Sequence, residues 1–178
     1  MVIFKEDEVI LVKDSYRPIL NLPKTTLERV LDIIGGGVFL LSIIYAIVNW
    51  GSIPDQIPGH FNGAGEVDRW GSKYELIILP IIGMFLFVFM TLFEKAPHMH
   101  NYPERLNEDN VEQFYLNSRK MLNIIKNICL ITFAVLLVQI IRVAKGEIHT
   151  LGNWFLPLLI VAVVIPIVIG LYKSSKIK

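Results

Sequence analysis

The sequence predicts an all-α integral membrane protein with four transmembrane helices, an ordered extracytoplasmic loop between helices 1 and 2, and a cytoplasmic extension of helix 3. The chain has 178 residues, of which 53% are hydrophobic and 19% are charged. The stretches without a charged residue are 33–54, 76–93, 127–141 and 148–172. About 18 or more apolar residues are enough to cross a bilayer. This composition excludes a soluble enzyme, and the net charge of +1 excludes a nucleic-acid partner recognised by bulk charge.

The chain divides into a cytoplasmic leader at residues 1–24 and a single membrane domain at residues 25–178. Thr25 and Glu28 have the spacing of a capping box, which places the start of the first helix. The predicted segments of the domain are helix 1 at 25–50, the outer loop at 51–74, helix 2 at 75–93, the cytoplasmic loop at 94–107, a long helix at 108–142 that contains span 3, a second outer loop at 143–153, and helix 4 at 154–173. In the leader, two apolar runs that flank Glu6 and Asp7 predict a short hairpin with an acidic turn.

The distribution of basic residues predicts the orientation, because cytoplasmic segments near membrane helices are enriched in Lys and Arg. Four spans place both termini on one side. The basic residues on that side are Lys5, Lys13, Arg17, Lys24, Arg29, Lys95, Arg105, Arg119, Lys120, Lys126, Lys173, Lys176 and Lys178. Those on the other side are Arg69, Lys73, Arg142 and Lys145. The thirteen against four predict that both termini are cytoplasmic.

Small and polar residues within the spans predict how the helices meet. Gly35, Ser42 and Asn49 recur every seven residues, a pattern that favours close packing inside the bundle or, alternatively, between two copies of the chain. Asn123, Asn127, Thr132 and Gln139 are expected to form hydrogen bonds across the bundle. Lys126 is expected to extend its ammonium group to the near membrane surface.

The outer loop is dense in turn-forming residues and in polar side chains that need partners. It contains the run Pro54-Asp55-x-Ile57-Pro58-x-His60-Phe61-Asn62-x-x-Gly65-x-x-Asp68-x-Trp70-x-x-Lys73. Long ordered loops are usually functional. The candidate binding residues are therefore those that this run presents: Asp55, His60, Phe61, Asn62, Gly65, Asp68, Trp70 and Lys73.

This run resembles the signature of a large bacterial domain family of unknown function, which also forms the N-terminal half of SdpI-type immunity and sensor proteins. A second match follows in the cytoplasmic loop and the start of helix 3: Asn101, Tyr102, Pro103, Asn110 and Tyr115. SdpI-type members protect the cell from a secreted toxic peptide and signal its presence by holding a cytoplasmic repressor at the membrane. The resemblance therefore implies a ligand at the outer face and a protein partner in the cytoplasm.

The polar residues of the outer loop allow two interpretations. His60, Asp55, Glu66 and Asp68 could form a metal or acid–base site, or they could form hydrogen bonds and ion pairs within the loop. We expect the second, with a pair Asp68–Lys73 or Asp55–Arg69, because metal sites need two or more ligands at helical or hairpin spacing. His98 and His100 have no carboxylate or cysteine nearby in a zinc-binding pattern. We expect no bound metal and no cofactor.

The leading functional hypothesis is a non-enzymatic binding or sensor protein that recognises a peptide or another membrane protein at its outer face. The first alternative is an accessory subunit of a larger membrane complex. The second is a membrane enzyme that uses His60 and Asp68. The lipid bilayer surrounds the chain in each case, and a homo-oligomer is compatible with all three.

We predict that cysteine labelling will place both termini in the cytoplasm. Single cysteines at Ser52 and Ser174 are introduced into a Cys129→Ser background, and intact cells are treated with a membrane-impermeant maleimide. Ser52→Cys should react, because it follows helix 1 on the outer side, and Ser174→Cys should react only after the cells are opened. Labelling of Ser174→Cys in intact cells would contradict the topology.

Overall fold

The computed structural model describes residues 2–5, 8–11 and 16–178, with side chains from residue 16 onward, and it confirms the four predicted helices. They are α1 (Thr26–Asn49), α2 (Ile78–Glu94), α3 (Val111–Ala144) and α4 (Phe155–Lys176). Each is long and apolar enough to cross a membrane. Two antiparallel strand pairs accompany them: β1 (Val2–Lys5) with β2 (Glu8–Leu11), and β3 (Gln56–Phe61) with β4 (Val67–Ser72). The acidic turn predicted at Glu6 and Asp7 lies outside the described residues.

The bundle has two ends, which we name by the segments that lie there. The hairpin end carries the β3–β4 hairpin and the α3–α4 loop. The leader end carries residues 16–25, the α2–α3 loop at residues 95–110 and the last residues of the chain. α2 is preceded by a 3₁₀ turn at Lys73–Ile77, so the chain passes from β4 into the helix without a flexible linker.

The predicted cap of α1 is present, whereas α3 begins later than predicted. The Glu28 amide donates to Thr25 Oγ1 at 3.4 Å, and the Thr25 amide donates to Glu28 Oε2 at 2.7 Å. The prediction that α3 starts at residue 108 was wrong, because the Asn107 side chain accepts from the amides of Asp109 and Asn110. These bonds hold a turn at residues 107–110, and the helix can begin only after it.

α3 is the helix around which the fold is built, because α1, α2 and α4 all pack against it. The small-residue stripe of α1 faces α3 within the same chain. Gly35 lies so close to the Asn127 side chain that an added Cβ would collide with the amide. Ala46 packs in a core cluster with Leu137 and Ile141 of α3. The stripe therefore brings the α1 and α3 backbones together, as small residues do between membrane helices.

The ordered loop between α1 and α2 is a β-hairpin, which the all-α prediction did not include. Its strands contain Pro58, Gly59 and Gly71 and lack a regular alternation of apolar and polar residues, so the sequence showed turns but no strands. The hairpin is nevertheless part of the core. Ile57 of β3 is 1% exposed and packs in the same cluster as Ile141 of α3.

Candidate functional site

The turn of the β3–β4 hairpin is held by Asn62. Its Oδ1 accepts from the amides of Ala64 and Glu66 at 2.9 and 3.0 Å, and its Nδ2 donates to Glu66 Oε2 at 3.0 Å. An asparagine side chain that bonds to the backbone just after it stabilises a tight turn. The main role of Asn62 in this geometry is therefore to shape the hairpin, and its side-chain groups are already engaged.

The tip of the hairpin rests on the α3–α4 loop. The Leu151 amide donates to the Gly65 carbonyl at 2.8 Å, and Glu66 forms a β-bridge with Thr150. Gly65 has φ of +79°, and an added Cβ would lie 2.7 Å from the Gly152 carbonyl oxygen. Only glycine fits this left-handed backbone and this close approach without strain. The contact fixes the hairpin over the ends of α3 and α4.

Two ion pairs and one His–Asp hydrogen bond stabilise the hairpin, and the partners differ from those predicted. His60 Nδ1 lies 2.7 Å from Asp68 Oδ1, Arg69 Nη2 lies 3.0 Å from Glu75 Oε2, and Lys73 Nζ lies 3.1 Å from Asp55 Oδ1. The predicted pairs Asp68–Lys73 and Asp55–Arg69 were wrong.

The strand register explains these partners. Asp55 precedes β3 and Lys73 follows β4, so the antiparallel register brings them together at the open end of the hairpin. His60 and Asp68 both lie near the turn, and Arg69 reaches the 3₁₀ turn below the sheet. Exposed pairs of this kind contribute only about 0–1 kcal/mol each.

A groove of about 570 Å³ lies beneath the hairpin, between α2 and α4 and over α3. Its floor is apolar and is formed by Leu79, Leu136, Ile140, Phe155 and Leu156. Its rim is polar, with His60, Arg69 and Glu75 contributed by the hairpin and the 3₁₀ turn. The groove thus joins a surface suited to an apolar group to a small number of hydrogen-bonding groups, the combination that binding sites commonly show.

The eight predicted outer-loop residues divide into two sets. His60, Phe61, Asn62 and Gly65 line the groove. The other four residues, Asp55, Asp68, Trp70 and Lys73, do not line the groove. Lys73 is the first residue of the 3₁₀ turn before α2, and its Nζ lies 5.8 Å from the centre of the Trp50 ring. Trp70 is 52% exposed.

The second motif lies at the leader end and is mostly engaged in packing. Asn110 is 1% exposed, and its Nδ2 donates to the carbonyls of Arg105 and Lys178 at 2.9 and 3.1 Å. The Tyr102 hydroxyl donates to the Pro97 carbonyl at 2.8 Å, and its ring lies 5.2 Å from that of buried Tyr115. Asn101 is exposed and Pro103 is half-buried. This motif ties the α2–α3 loop to α3 and to the last residues of the chain.

The histidine pair of the same loop has no metal-binding geometry. His100 Nδ1 lies 2.7 Å from Ser118 Oγ, and its Nε2 lies 3.1 Å from the Phe93 carbonyl oxygen. Burial lowers the pKa of His100, and burial raises the pKa of Tyr102 to about 12. Across residues 16–178, no group of three or more His, Cys, Asp or Glu side chains is placed to hold a metal ion.

The sequence analysis missed a buried layer of charged side chains at the leader end. Lys126 of α3 is 1% exposed, and its Nζ lies 2.6 Å from Glu94 Oε1 of α2 and 2.9 Å from Asp32 Oδ1 of α1. Lys24 lies 2.7 Å from Glu94 Oε2 and 2.6 Å from Asp32 Oδ2. We call these four residues together with Glu28 and Arg119 the charged layer.

Arg119 and two asparagines complete the charged layer and its surroundings. Arg119 Nε donates to Glu28 Oε1 at 2.8 Å, and both side chains are almost fully buried. The Nδ2 groups of Asn123 and Asn127 donate to Asp32 Oδ1 at 2.8 and 3.0 Å. The prediction of hydrogen bonds across the bundle is confirmed for these two asparagines. It was wrong for Thr132 and Gln139, because the Thr132 hydroxyl donates to the Ile128 carbonyl at 2.8 Å and Gln139 Oε1 accepts from Arg142 at 3.2 Å, both within α3. The three cations and three carboxylates balance, and removing one partner of such a buried pair typically costs about 3–5 kcal/mol.

The prediction that Lys126 extends to the membrane surface was wrong, because two carboxylates lie within reach inside the bundle. A signal for this was present in the sequence. Asp32, Glu94 and Lys126 all lie near the same predicted side of the membrane, each at the end of its own span. Burial of all three charges is tolerated only if they pair. Burial by itself lowers the pKa of Lys24, but its bonds to Asp32 and Glu94 outweigh this effect, so the pKa is raised.

Comparisons with known proteins point to the hairpin region. Residues 37–84 match a domain of unknown function, DUF1648. The match runs from the small-residue part of α1 through the hairpin into α2. An uncharacterized protein from Archaeoglobus fulgidus is 30% identical over 80 residues, which are 44% of this chain and 42% of that protein. The aligned part therefore spans less than half of that relative's length. No solved structure matches the chain.

We predict that Gly65→Ala will release the hairpin tip from the α3–α4 loop. The substitution forces a side chain into a left-handed backbone and against Gly152, which should cost about 1–2 kcal/mol. Limited proteolysis of the purified protein should cut residues 62–66 faster than in the wild type. Gly63→Ala is the matched control, because an added Cβ there meets nothing within 4 Å. Equal cleavage rates for the two variants would contradict the docked hairpin.

Proposed function

We propose that this chain is a non-enzymatic binding protein of a bacterial inner membrane, with both termini in the cytoplasm and a ligand site at the outer face. The single observation that supports this function is the groove beneath the hairpin. Its apolar floor is built from α2, α3 and α4, and its polar rim comes from the β3–β4 hairpin. A ligand with an apolar segment and nearby hydrogen-bonding groups would match both surfaces.

The ligand class that fits best is a peptide or a segment of another membrane protein. The groove lies at the hairpin end of α2 and α4, where apolar helix surface gives way to polar loop. A peptide at the membrane surface could place an apolar side chain on the floor and its backbone amides near His60. Immunity to a secreted peptide, as in SdpI-type proteins, is one form that such binding could take, with a cytoplasmic protein as the second partner.

A specific contact favours one alternative, an enzyme at the outer face. His60 and Asp68 are 2.7 Å apart, which is the geometry of a histidine oriented by a carboxylate. However, the His60 side chain is 65% exposed, so bulk water surrounds the pair. Such exposure weakens the electrostatic effects that catalysis uses, and binding is therefore the better-supported function.

The binding proposal is tested by site-specific photocrosslinking in native membranes. The photoreactive residue p-benzoylphenylalanine replaces Phe61, which lines the groove. In separate samples, Leu156→Trp fills the floor, while Leu158→Trp adds the same bulk at a helix position that is 58% exposed and outside the groove.

We predict a discrete crosslinked product from position 61 that persists with Leu158→Trp and falls at least tenfold with Leu156→Trp. Protein levels and melting temperature, measured in parallel, should match for the two tryptophan variants. A product that is unaffected by Leu156→Trp, or the absence of a discrete product from position 61, would contradict the proposed site.

A further inference from the structure

The segment before α1 lies at the leader end of the bundle and is bonded to three other elements. We call residues 16–25 the strap. Arg17 Nη1 donates to the His100 carbonyl at 2.9 Å, in the loop after α2. Arg119 of α3 donates to the carbonyls of Leu22 and Pro23 at 2.6 and 2.9 Å. The strap therefore touches the α2–α3 loop, α3 and the start of α1.

The strap is held by polar contacts rather than by apolar burial. None of residues 16–25 is fully buried, and Ile19 is 82% exposed. Segments with few buried apolar contacts open more readily than the core of the same protein. By this criterion the strap belongs to the part of the fold that can move.

The contacts at the C-terminal end of the strap are of a different kind, because they reach the charged layer. Lys24 lies on the strap and is 29% exposed, yet it bridges Asp32 of α1 and Glu94 of α2, and the Glu94 side chain has no exposed surface. If the strap leaves, Glu94 and Asp32 keep only Lys126 as a cationic partner among the contacts described above. Arg119, whose side chain is 4% exposed while the strap is in place, likewise loses two carbonyl acceptors.

From this arrangement we infer that the strap is a latch: its release from the bundle and the separation of the α1 and α2 ends at the charged layer are one coupled event. A buried carboxylate that loses its cation must regain water or another partner. Glu94 Oε2 and Asp32 Oδ2, the two atoms that Lys24 bridges, then lose the cation between them. The two carboxylates repel each other, and the ends of α1 and α2 move apart until water enters. The reverse also holds, since a movement that separates Asp32 from Glu94 breaks the site in which Lys24 is held.

The latch gives the leader a mechanical connection to the membrane helices. A partner that pulled on the chain ahead of the strap would open the leader end of the bundle. A change in helix packing would release the strap. The contacts that support this device lie at the opposite end of the bundle from the groove, so the inference does not rest on the proposed ligand site.

Pulsed electron–electron resonance between pairs of spin labels tests the coupling on the full chain in lipid nanodiscs, in a Cys129→Ser background. One pair, Ile19→Cys with Glu112→Cys, reports the distance from the strap to α3. The other pair, Arg29→Cys with Lys95→Cys, reports the distance between the ends of α1 and α2. All four positions are exposed, so the labels do not disturb the charged layer.

The variant that tests the latch is Lys24→Met, which keeps the length of the side chain and removes its charge. We expect a second, longer population in both distance distributions. Lys24→Arg, which keeps the charge, and Lys120→Met, which removes a lysine of α3 outside the charged layer, should both retain the wild-type distributions. A longer strap distance with an unchanged α1–α2 distance would overturn the inference, and so would no change in either.

Arg17→Ala addresses the same question from the far end of the strap, in case Lys24→Met does not yield folded protein. It removes the bond to the His100 carbonyl and leaves the charged layer intact. The inference again requires that any longer strap population be matched by a longer α1–α2 population of similar fraction. A strap that lengthens alone in this variant would show that the two movements are separate.

Discussion

The contact of Lys126 with Glu94 and Asp32 is the interaction on which the arrangement of the helices depends. It joins α3 to α2 and α1 at one point within the charged layer. Each of these charges would be strongly unfavourable alone in a membrane environment. The observed packing of the three helices brings all of them together, so the charged layer favours this packing over arrangements that leave one of the charges unpaired. The close approach of Gly35 to Asn127 and the apolar contacts of Ala46 then complete the α1–α3 interface toward the hairpin end.

The hairpin end depends on the same frame but is built by other means. The β3–β4 hairpin would be only marginally stable by itself in water. It is ordered because Ile57 packs on α3, because the tip bonds to the α3–α4 loop through Gly65, and because the 3₁₀ turn connects β4 directly to α2. The groove beneath it exists only while α2, α3 and α4 keep their positions. A change in helix packing at the charged layer would therefore be expected to alter the site at the opposite end.

Much of the fold could be predicted from the sequence, for clear physical reasons. Uncharged stretches of sufficient length identify the spans, and the Thr25–Glu28 spacing marks the start of α1 because a capping box is a local interaction. The strands of the hairpin could not be predicted, since Pro58, Gly59 and Gly71 interrupt any alternation. The ion-pair partners in the hairpin depend on strand register, which the residues of the loop do not specify by themselves.

The pairing within the charged layer could not be predicted from the sequence either. Its members are far apart along the chain, with Asp32, Glu94 and Lys126 on three different helices. A lysine near the end of a span is usually expected to reach the membrane surface, and only the packed structure shows that it turns inward here. For the candidate site, the sequence singled out the segment that forms the hairpin but could not separate groove-lining His60 and Phe61 from Asp55 and Lys73, which support the hairpin.

A double-mutant cycle across Lys126 and Glu94 tests most directly whether the charged layer holds the helices together through balanced pairing. The free energy of unfolding is measured in one detergent for the wild type, Lys126→Met, Glu94→Gln and the double variant. Each single variant leaves an unbalanced buried charge and should lose about 3–5 kcal/mol, whereas the double variant keeps the Lys24–Asp32 pair and restores balance. The account predicts a loss in the double variant well below the sum of the two single losses. Losses that add within error would contradict it.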